Sequence, residues 1–193
     1  MTAWTDYRYA VVDVEGNGQQ PPDLVELGVV GIVGGVIGET VSWLCKPTEP
    51  ITSLARRIHG ISDEMVAAAP AFAEVEAEVR AHLDGAVMVA HNAGVDLGVL
   101  RRKMPDFAPS TVLDTLKLSR RLLPDQVSYR LGSLVSALRL DDGLASGLRA
   151  HRVDYDVLVT ARLFVHLASQ AGGTPLSLEA LRDGRRAADD ALF

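Results

Sequence analysis

The sequence predicts an α/β domain built around a mixed five-stranded sheet, and three observations carry that reading. Three strand-like runs follow one another at the start of the chain. Two short β-rich runs then alternate with apolar stripes of helical period, and glycine or proline punctuates most junctions.

Tyr9 to Val14 is the first β-rich run, a central strand that delivers Asp13 and Glu15 at its C-terminal end. Residues two apart on a strand share a face, so these two carboxylates can share a cation. Gly16-Asn17-Gly18 and Pro21-Pro22 form a loop, and Leu24 to Ile32 with Val36 to Cys45 read as a hairpin turning near Gly34-Gly35. Lys46 to Pro50 is another loop. Ser53 to Ile58 is a short helix, and Ser62-Asp63-Glu64 caps the next, which Pro70 ends. Phe72, Val75, Val79 and Leu83 form a helical stripe. Ala86 to Ala90 is a strand, Asn92 to Lys103 a helix carrying Asp96 in its first turns, and Met104-Pro105 stops it. Thr111 to Asp114 is the last strand, followed by helical segments Leu116 to Leu122 and Leu131 to Leu138. Asp141 to Ala150, with two glycines, reads as a mobile loop. His151 then stands near the start of a long helix, Val153 to Ser169. The expected organisation is one domain over residues 1–172 and a tail over residues 173–193, with a terminal helix over Leu176 to Leu192. No internal repeat is present.

A chain of 193 residues is long enough to bury a core around such a sheet, and 48% hydrophobic with 23% charged residues is a globular composition. The net charge of −6 argues against a protein that coats nucleic acid through a broad basic face. It leaves room for a nuclease, because carboxylates gathered for metal lower the net charge and bound cations reverse the local sign. Arg56-Arg57, Arg101-Arg102-Lys103, Arg120-Arg121 and Arg185-Arg186 are local basic patches, of which one or two are expected to touch phosphate. Cys45 stands alone, which excludes an intramolecular disulfide and a cysteine-rich zinc site and fits a cytoplasmic setting. The N-terminus has no basic-then-apolar leader, and Leu24 to Ile37 is too short and too glycine-rich to span a bilayer.

The chemistry concentrates in three acidic motifs: Asp13-Val14-Glu15, His91-Asn92-Ala93-Gly94-Val95-Asp96, and His151-x4-Asp156. Carboxylates from three distant segments can converge on divalent cations, and hard oxygen donors without thiolate suit magnesium or manganese. Taken singly, each has a plainer account. Asp13 and Glu15 read equally as strand-end carboxylates, Asp96 as a helix-start residue favoured by the macrodipole, and His151 as a loop histidine. Asp154 competes with Asp156, and helical phase leaves that choice open.

In this order the motifs resemble the DnaQ-like 3′-to-5′ exonucleases of the DEDDh group. Leu24-Val25-Glu26-Leu27-Gly28-Val29, Ile58-His59-Gly60-Ile61-Ser62-Asp63-Glu64-Met65 and Val112-Leu113-Asp114-Thr115 extend the resemblance over roughly Tyr7 to Ala168. It implies a ribonuclease H-like fold with strand order 3-2-1-4-5, and hydrolysis of phosphodiester bonds in single-stranded DNA or RNA to nucleoside 5′-monophosphates. It further implies two divalent cations, Mg2+ or Mn2+, acting by a two-metal mechanism. Asp13 would bridge the cations, Glu15 and Asp156 complete the nucleophile-side ion, and Asp96 serve the other. The family's His-x4-Asp spacing selects Asp156 over Asp154. His151 would be the general base, since an imidazole of ordinary pKa is largely neutral at cytoplasmic pH.

Gly16, Asn17, His59, Ile61, His91 and Asn92 are the expected substrate-side residues, with Ile61 offering an apolar face to a base. A helix-to-helix turn is an equal reading of the His59 segment, and His91 with Asn92 fits a structural role in the turn before Asp96. Two departures from the family stand out. Gly16-Asn17-Gly18 replaces its threonine-rich run, removing hydroxyl contacts, and Val95 stands where phenylalanine commonly precedes the aspartate. Both bear on substrate choice and leave the carboxylates intact. Oligoribonuclease-like or ribonuclease T-like activity, a polymerase-associated proofreading role, and a non-catalytic nucleic-acid-binding module remain alternatives. A homodimer or a polymerase would be the protein partner.

Overall fold

The structure, a computed structural model, describes residues 2–169 and 176–183. Its centre is β1 (Tyr9–Gly16), paired antiparallel with β2 (Leu24–Val33) and parallel with β4 (Val87–Ala90). β3 (Val36–Leu44) extends the sheet antiparallel beyond β2, and β5 (Val112–Asp114) extends it parallel beyond β4. The order is β3-β2-β1-β4-β5, as the family resemblance implied.

Alternation along β1 sorts two cores. Tyr9 and Val11 face one side, where they meet Leu134, Val157, Leu163, Phe164 and Leu167. Ala10 and Val12 face the other, against Phe72, Val79, Leu83, Val99 and Leu100. The first core is covered by α5 (Thr115–Leu122), α6 (Leu131–Leu138) and α7 (Val153–Ser169), the second by α3 (Phe72–Leu83) and α4 (Gly94–Lys103). Phe164 of α7 packs edge-on to Trp4 at 5.7 Å and tilted to Tyr9 at 4.7 Å, and the Tyr9 hydroxyl donates to the Trp4 carbonyl at 2.7 Å. Each such aromatic contributes a few kcal/mol, about 1.5–3, by leaving water.

Element boundaries differ from expectation where polar side chains cap the chain. The helix expected from Asn92 starts at Gly94, because Asn92 takes a left-handed φ of 66° that no helix tolerates. α5 starts one residue early, since the Asp114 side chain accepts from the Leu116 and Lys117 amides. Short helices α1 (Ser53–His59) and α2 (Asp63–Val66) cover a third small cluster of Val25, Ile51, Ala55, Ile61 and Val66.

Within the segment read as a tail, Leu176 and Leu181 are buried in the first core, and the Trp4 amide donates to the Leu176 carbonyl. Helix α8 (Leu178–Asp183) falls within the terminal helix expected over Leu176 to Leu192; residues 170–175 and 184–193, and with them the rest of that expectation, lie outside the described residues. Among the described residues no helix is long and apolar enough to cross a membrane.

Candidate active site

Parity along β1 decides where the first motif points. Asp13 and Glu15 share the phase of Tyr9 and Val11, so they emerge on the α7 face where the apolar run of the strand ends. Gly28 sits opposite Asp13 on β2. A Cβ there would lie 2.7 Å from the Val153 Cβ and 3.0 Å from the Val153 carbonyl oxygen. Only a bare backbone lets the first turn of α7 come this close to the sheet, and that turn carries Asp156.

The segment before α7 is anchored by an ion pair between a buried glutamate and a half-buried arginine. Glu26, opposite Glu15 on β2, is 4% exposed and takes Arg152 in a fork, Nε to Oε2 at 2.9 Å and Nη2 to Oε1 at 2.5 Å. His151, one residue earlier, has φ 62°, a left-handed conformation that costs a non-glycine residue. It is held by its own amide, which donates to Asp156 Oδ2 at 2.7 Å. The result is that ligating atoms of Glu15, His151 and Asp156 lie within 4.8 Å of one another.

Asp13 stands at the electrostatic centre. Its Oδ2 is buried and has no hydrogen-bond partner among the described residues. Burial first, then the charges of Asp96, Asp156, Glu15 and Glu26, push its pKa well above the usual carboxylate range. Burial and Asp156, Glu26 and Asp96 raise Glu15 to about 8, with Arg152 opposing. Burial raises Asp156 to about 6 against the amide and charge of His151. Asp96, buried on α4, is raised to about 7 by burial, against stabilising hydrogen bonds from its own and the Val14 amides. A nearly enclosed, mutually repelling set of carboxylates with an orphaned oxygen fits a divalent cation, which supplies the missing partner and removes the repulsion.

Asp13, Glu15, His151 and Asp156 line one cleft of about 1100 Å³, whose far wall is built by α5, α6 and the segment between them. Asp96 is not part of that lining; it is buried, close enough for its charge to act on Asp13.

The expected substrate-side residues divide. Ile61 is 0% exposed and packs with Val25 and Ala55, so it offers no face to a base. His59 is also buried. Its Nδ1 accepts from the Ile61 amide at 3.0 Å, which leaves the proton on Nε2 to donate to the Gly16 carbonyl at 3.3 Å, and burial lowers its pKa and keeps it neutral. This histidine ties α1 to the end of β1. Asn17 is 0% exposed and fully used: Oδ1 accepts from the Gln19 and Asp23 amides and Nδ2 donates to the Glu49 carbonyl. In the structure these three side chains hold the fold together, and for the His59 segment that is the helix-to-helix turn the sequence equally allowed. Gly16 sits at the strand end beside Glu15, partly exposed. Asn92 and His91 line the cleft.

His91 is bonded at both nitrogens, Nε2 to the Tyr129 carbonyl at 3.0 Å and Nδ1 to Thr115 Oγ1 at 2.9 Å. A carbonyl only accepts, so Nε2 carries the proton; the Thr115 hydroxyl beside Nδ1 also lies 3.3 Å from the Ala90 carbonyl, and burial lowers the ring's pKa. Sequence reasoning missed Gly28, Glu26 and Arg152 as architects of the site. The signal was present in a glycine inside a strand and an acid inside an apolar run, two features that mark close approach and buried pairing.

Comparison with known proteins bears on this geometry. The exonuclease (RNase T) family model matches residues 10–164. Exodeoxyribonuclease 10 of Escherichia coli K12 is 33% identical over 164 residues, covering 85% of this chain and 70% of that protein. The 3′-5′ exonuclease DinG of Bacillus subtilis strain 168 is 33% identical over 178 residues, 87% of this chain and 18% of DinG. The chain likewise spans 11% of a PolC-type DNA polymerase III from Caldanaerobacter subterraneus and 23% of an epsilon-like protein from Rhodobacter capsulatus. A solved structure of exonuclease X in complex with 5′ overhanging duplex DNA superposes with a TM-score of 0.74 at 31% identity, covering 91% of this chain and 98% of that one. The E. coli exonuclease I complex with single-stranded DNA, at 19% identity and a TM-score of 0.70, shares the fold. With its strand order, its converging acidic motifs and these matches, the chain belongs to the DnaQ-like (RNase T) exonuclease family on a ribonuclease H-like fold.

Proposed function

We propose that this chain is a metal-dependent 3′-to-5′ exonuclease that removes nucleoside 5′-monophosphates from single-stranded 3′ ends. The observation that carries the reading is the gathering of ligating atoms of Glu15, His151 and Asp156 within 4.8 Å, in the cleft that Asp13, with its buried and unpartnered Oδ2, also lines. The relatives support it by name, as 3′-5′ exonuclease and exodeoxyribonuclease, and the second of these names favours DNA as the polymer.

Asp13, Glu15, Asp156 and the recessed Asp96 would hold two Mg2+ or Mn2+ ions. Bound there, such a pair lowers the pKa of the attacking water and stabilises the leaving 3′ oxygen. The chain's own part is positional. The His151 amide and Arg152 fix the Asp156 and Glu26 carboxylates, and with them the orientation of the His151 backbone. His151, exposed at the cleft, presents an imidazole nitrogen that takes the proton from the attacking water as general base. The PolC-type and epsilon-like relatives make a polymerase a protein partner to test by co-purification.

The test is a time course on 5′-labelled single-stranded DNA and RNA of equal sequence with Mg2+, Mn2+ or EDTA. A metal-dependent ladder shortening from the 3′ end, lost by about a hundredfold or more in Asp13→Ala and His151→Ala, supports the reading. No shortening of either polymer by the wild type refutes it.

A further inference from the structure

The carboxylates that suit a cation repel a polyanion, and the chain as a whole carries a net charge of −6. Something in the cleft must offset that repulsion for a strand to bind. Two cations line the wall across from the carboxylates: Arg120 on α5 and Arg130 immediately before α6. Both are exposed, and among the described residues neither forms a salt bridge, whereas Arg80, Lys103, Arg139 and Arg152 are all paired.

The wall is built, although the segment between α5 and α6 has no regular structure. Tyr129 is tied at both ends: its carbonyl accepts from His91 Nε2 at 3.0 Å, and its hydroxyl donates to the Leu123 carbonyl at 2.9 Å. Arg130 therefore projects from a pinned backbone, and Arg120 lies close enough for its charge to act on His91. Size points the same way. Pockets for drug-sized ligands span roughly 300–1,000 Å³. At about 1100 Å³ the cleft has room for more than a terminal nucleotide.

Resting on the exonuclease reading, we propose that Arg120 and Arg130 form a phosphate-binding wall that grips the substrate strand upstream of the bond being cut. The guanidinium fork matches a phosphodiester's two free oxygens, and such contacts are indifferent to base. The wall gives the enzyme its hold on a strand while the carboxylates act on the last linkage.

The experiment measures kcat and KM for Arg120→Ala, Arg130→Ala, the double variant and Arg120→Lys on a 5′-labelled DNA decamer and on a dinucleotide, whose one phosphate is the scissile one. Lys46→Ala, an exposed cation in the loop after β3 that neither lines the cleft nor belongs to a basic patch, is the control. On the decamer each alanine variant should raise KM by about tenfold with kcat little changed, and Arg120→Lys should recover part of the loss. The increase should be smaller on the dinucleotide. The slope of log binding constant against log salt should become shallower by about 0.7 for each contact removed. An active wild type whose arginine variants bind the decamer as tightly as Lys46→Ala does overturns the wall. Equal losses on decamer and dinucleotide, carried in kcat, overturn it too. A wild type that shortens neither substrate overturns the exonuclease reading itself, a result distinct from the other two.

Discussion

Replacing Glu15 by glutamine should abolish activity and make the metal-free protein more stable. The carboxyl is raised from 4.5 to about 8, first by burial and then by Asp156, Glu26 and Asp96. A carboxyl whose pKa is higher in the folded than in the unfolded chain binds more protons when folded, so its contribution is fully present below about 4.5 and is lost as pH rises toward 8. At about 1.4 kcal/mol per pH unit, that window makes a ceiling near 4 kcal/mol at pH 8. Glu15 is only partly enclosed, and solvent access brings the expected gain on neutralising it to about 2 kcal/mol. For a chain of this length, 1 kcal/mol moves Tm by about 2–4 °C, so Glu15→Gln should melt roughly 4–8 °C above the wild type in EDTA at pH 8. At pH 4.5 the difference should nearly vanish, because the wild-type carboxyl is then protonated in the folded protein. Saturating Mg2+ should also close the gap by stabilising the wild type alone. Differential scanning fluorimetry over pH with EDTA or Mg2+ makes the measurement. A variant that melts below the wild type at pH 8 in EDTA would refute the account of the cluster as strained by burial and repulsion.

Divalent cation should raise the wild-type Tm more at pH 8 than at pH 5.5, because protons compete for Glu15, Asp96 and Asp156, raised to about 8, 7 and 6; an equal shift at both values would count against these residues as ligands. Gly28→Ala places a Cβ 2.7 Å from the Val153 Cβ and should cost about 1–3 kcal/mol and most of the activity, while Gly31→Ala, whose Cβ meets nothing within 4 Å, should be nearly neutral by thermal melt. Arg152→Ala leaves Glu26 charged and buried and should cost about 3–5 kcal/mol in urea unfolding. Combining it with Glu26→Gln should cost less than the two single changes summed, and strict additivity would show that the pair does not act as a unit.

The main lines of the fold were legible because they rest on local patterning. A β-rich run marked β1, an apolar stretch turning at Gly34-Gly35 marked the β2–β3 hairpin, and the long helix α7 was read with its observed limits, Val153–Ser169. The acidic motifs were legible by kind and order, and β1's parity already put Asp13 and Glu15 on one face. The substrate side was harder to read. Asn17, His59 and Ile61 look like contact residues in a string of letters, yet loop closure and the cluster beneath α1 consume them. No periodicity in one segment reports which distant backbone its side chains will bond.

By itself, the sequence determined which elements form and which residue types carry charge, since propensity, alternation and capping act within a few residues. Tertiary structure alone decided that Gly28 admits α7 to the sheet, that Glu26 spends its charge on Arg152 while Glu15 faces the cleft, and that buried Asp96 comes within reach of the charge on Asp13. Those outcomes depend on steric fit and on charges brought together from segments far apart in the chain, and neither exists until the sheet has closed against its helices.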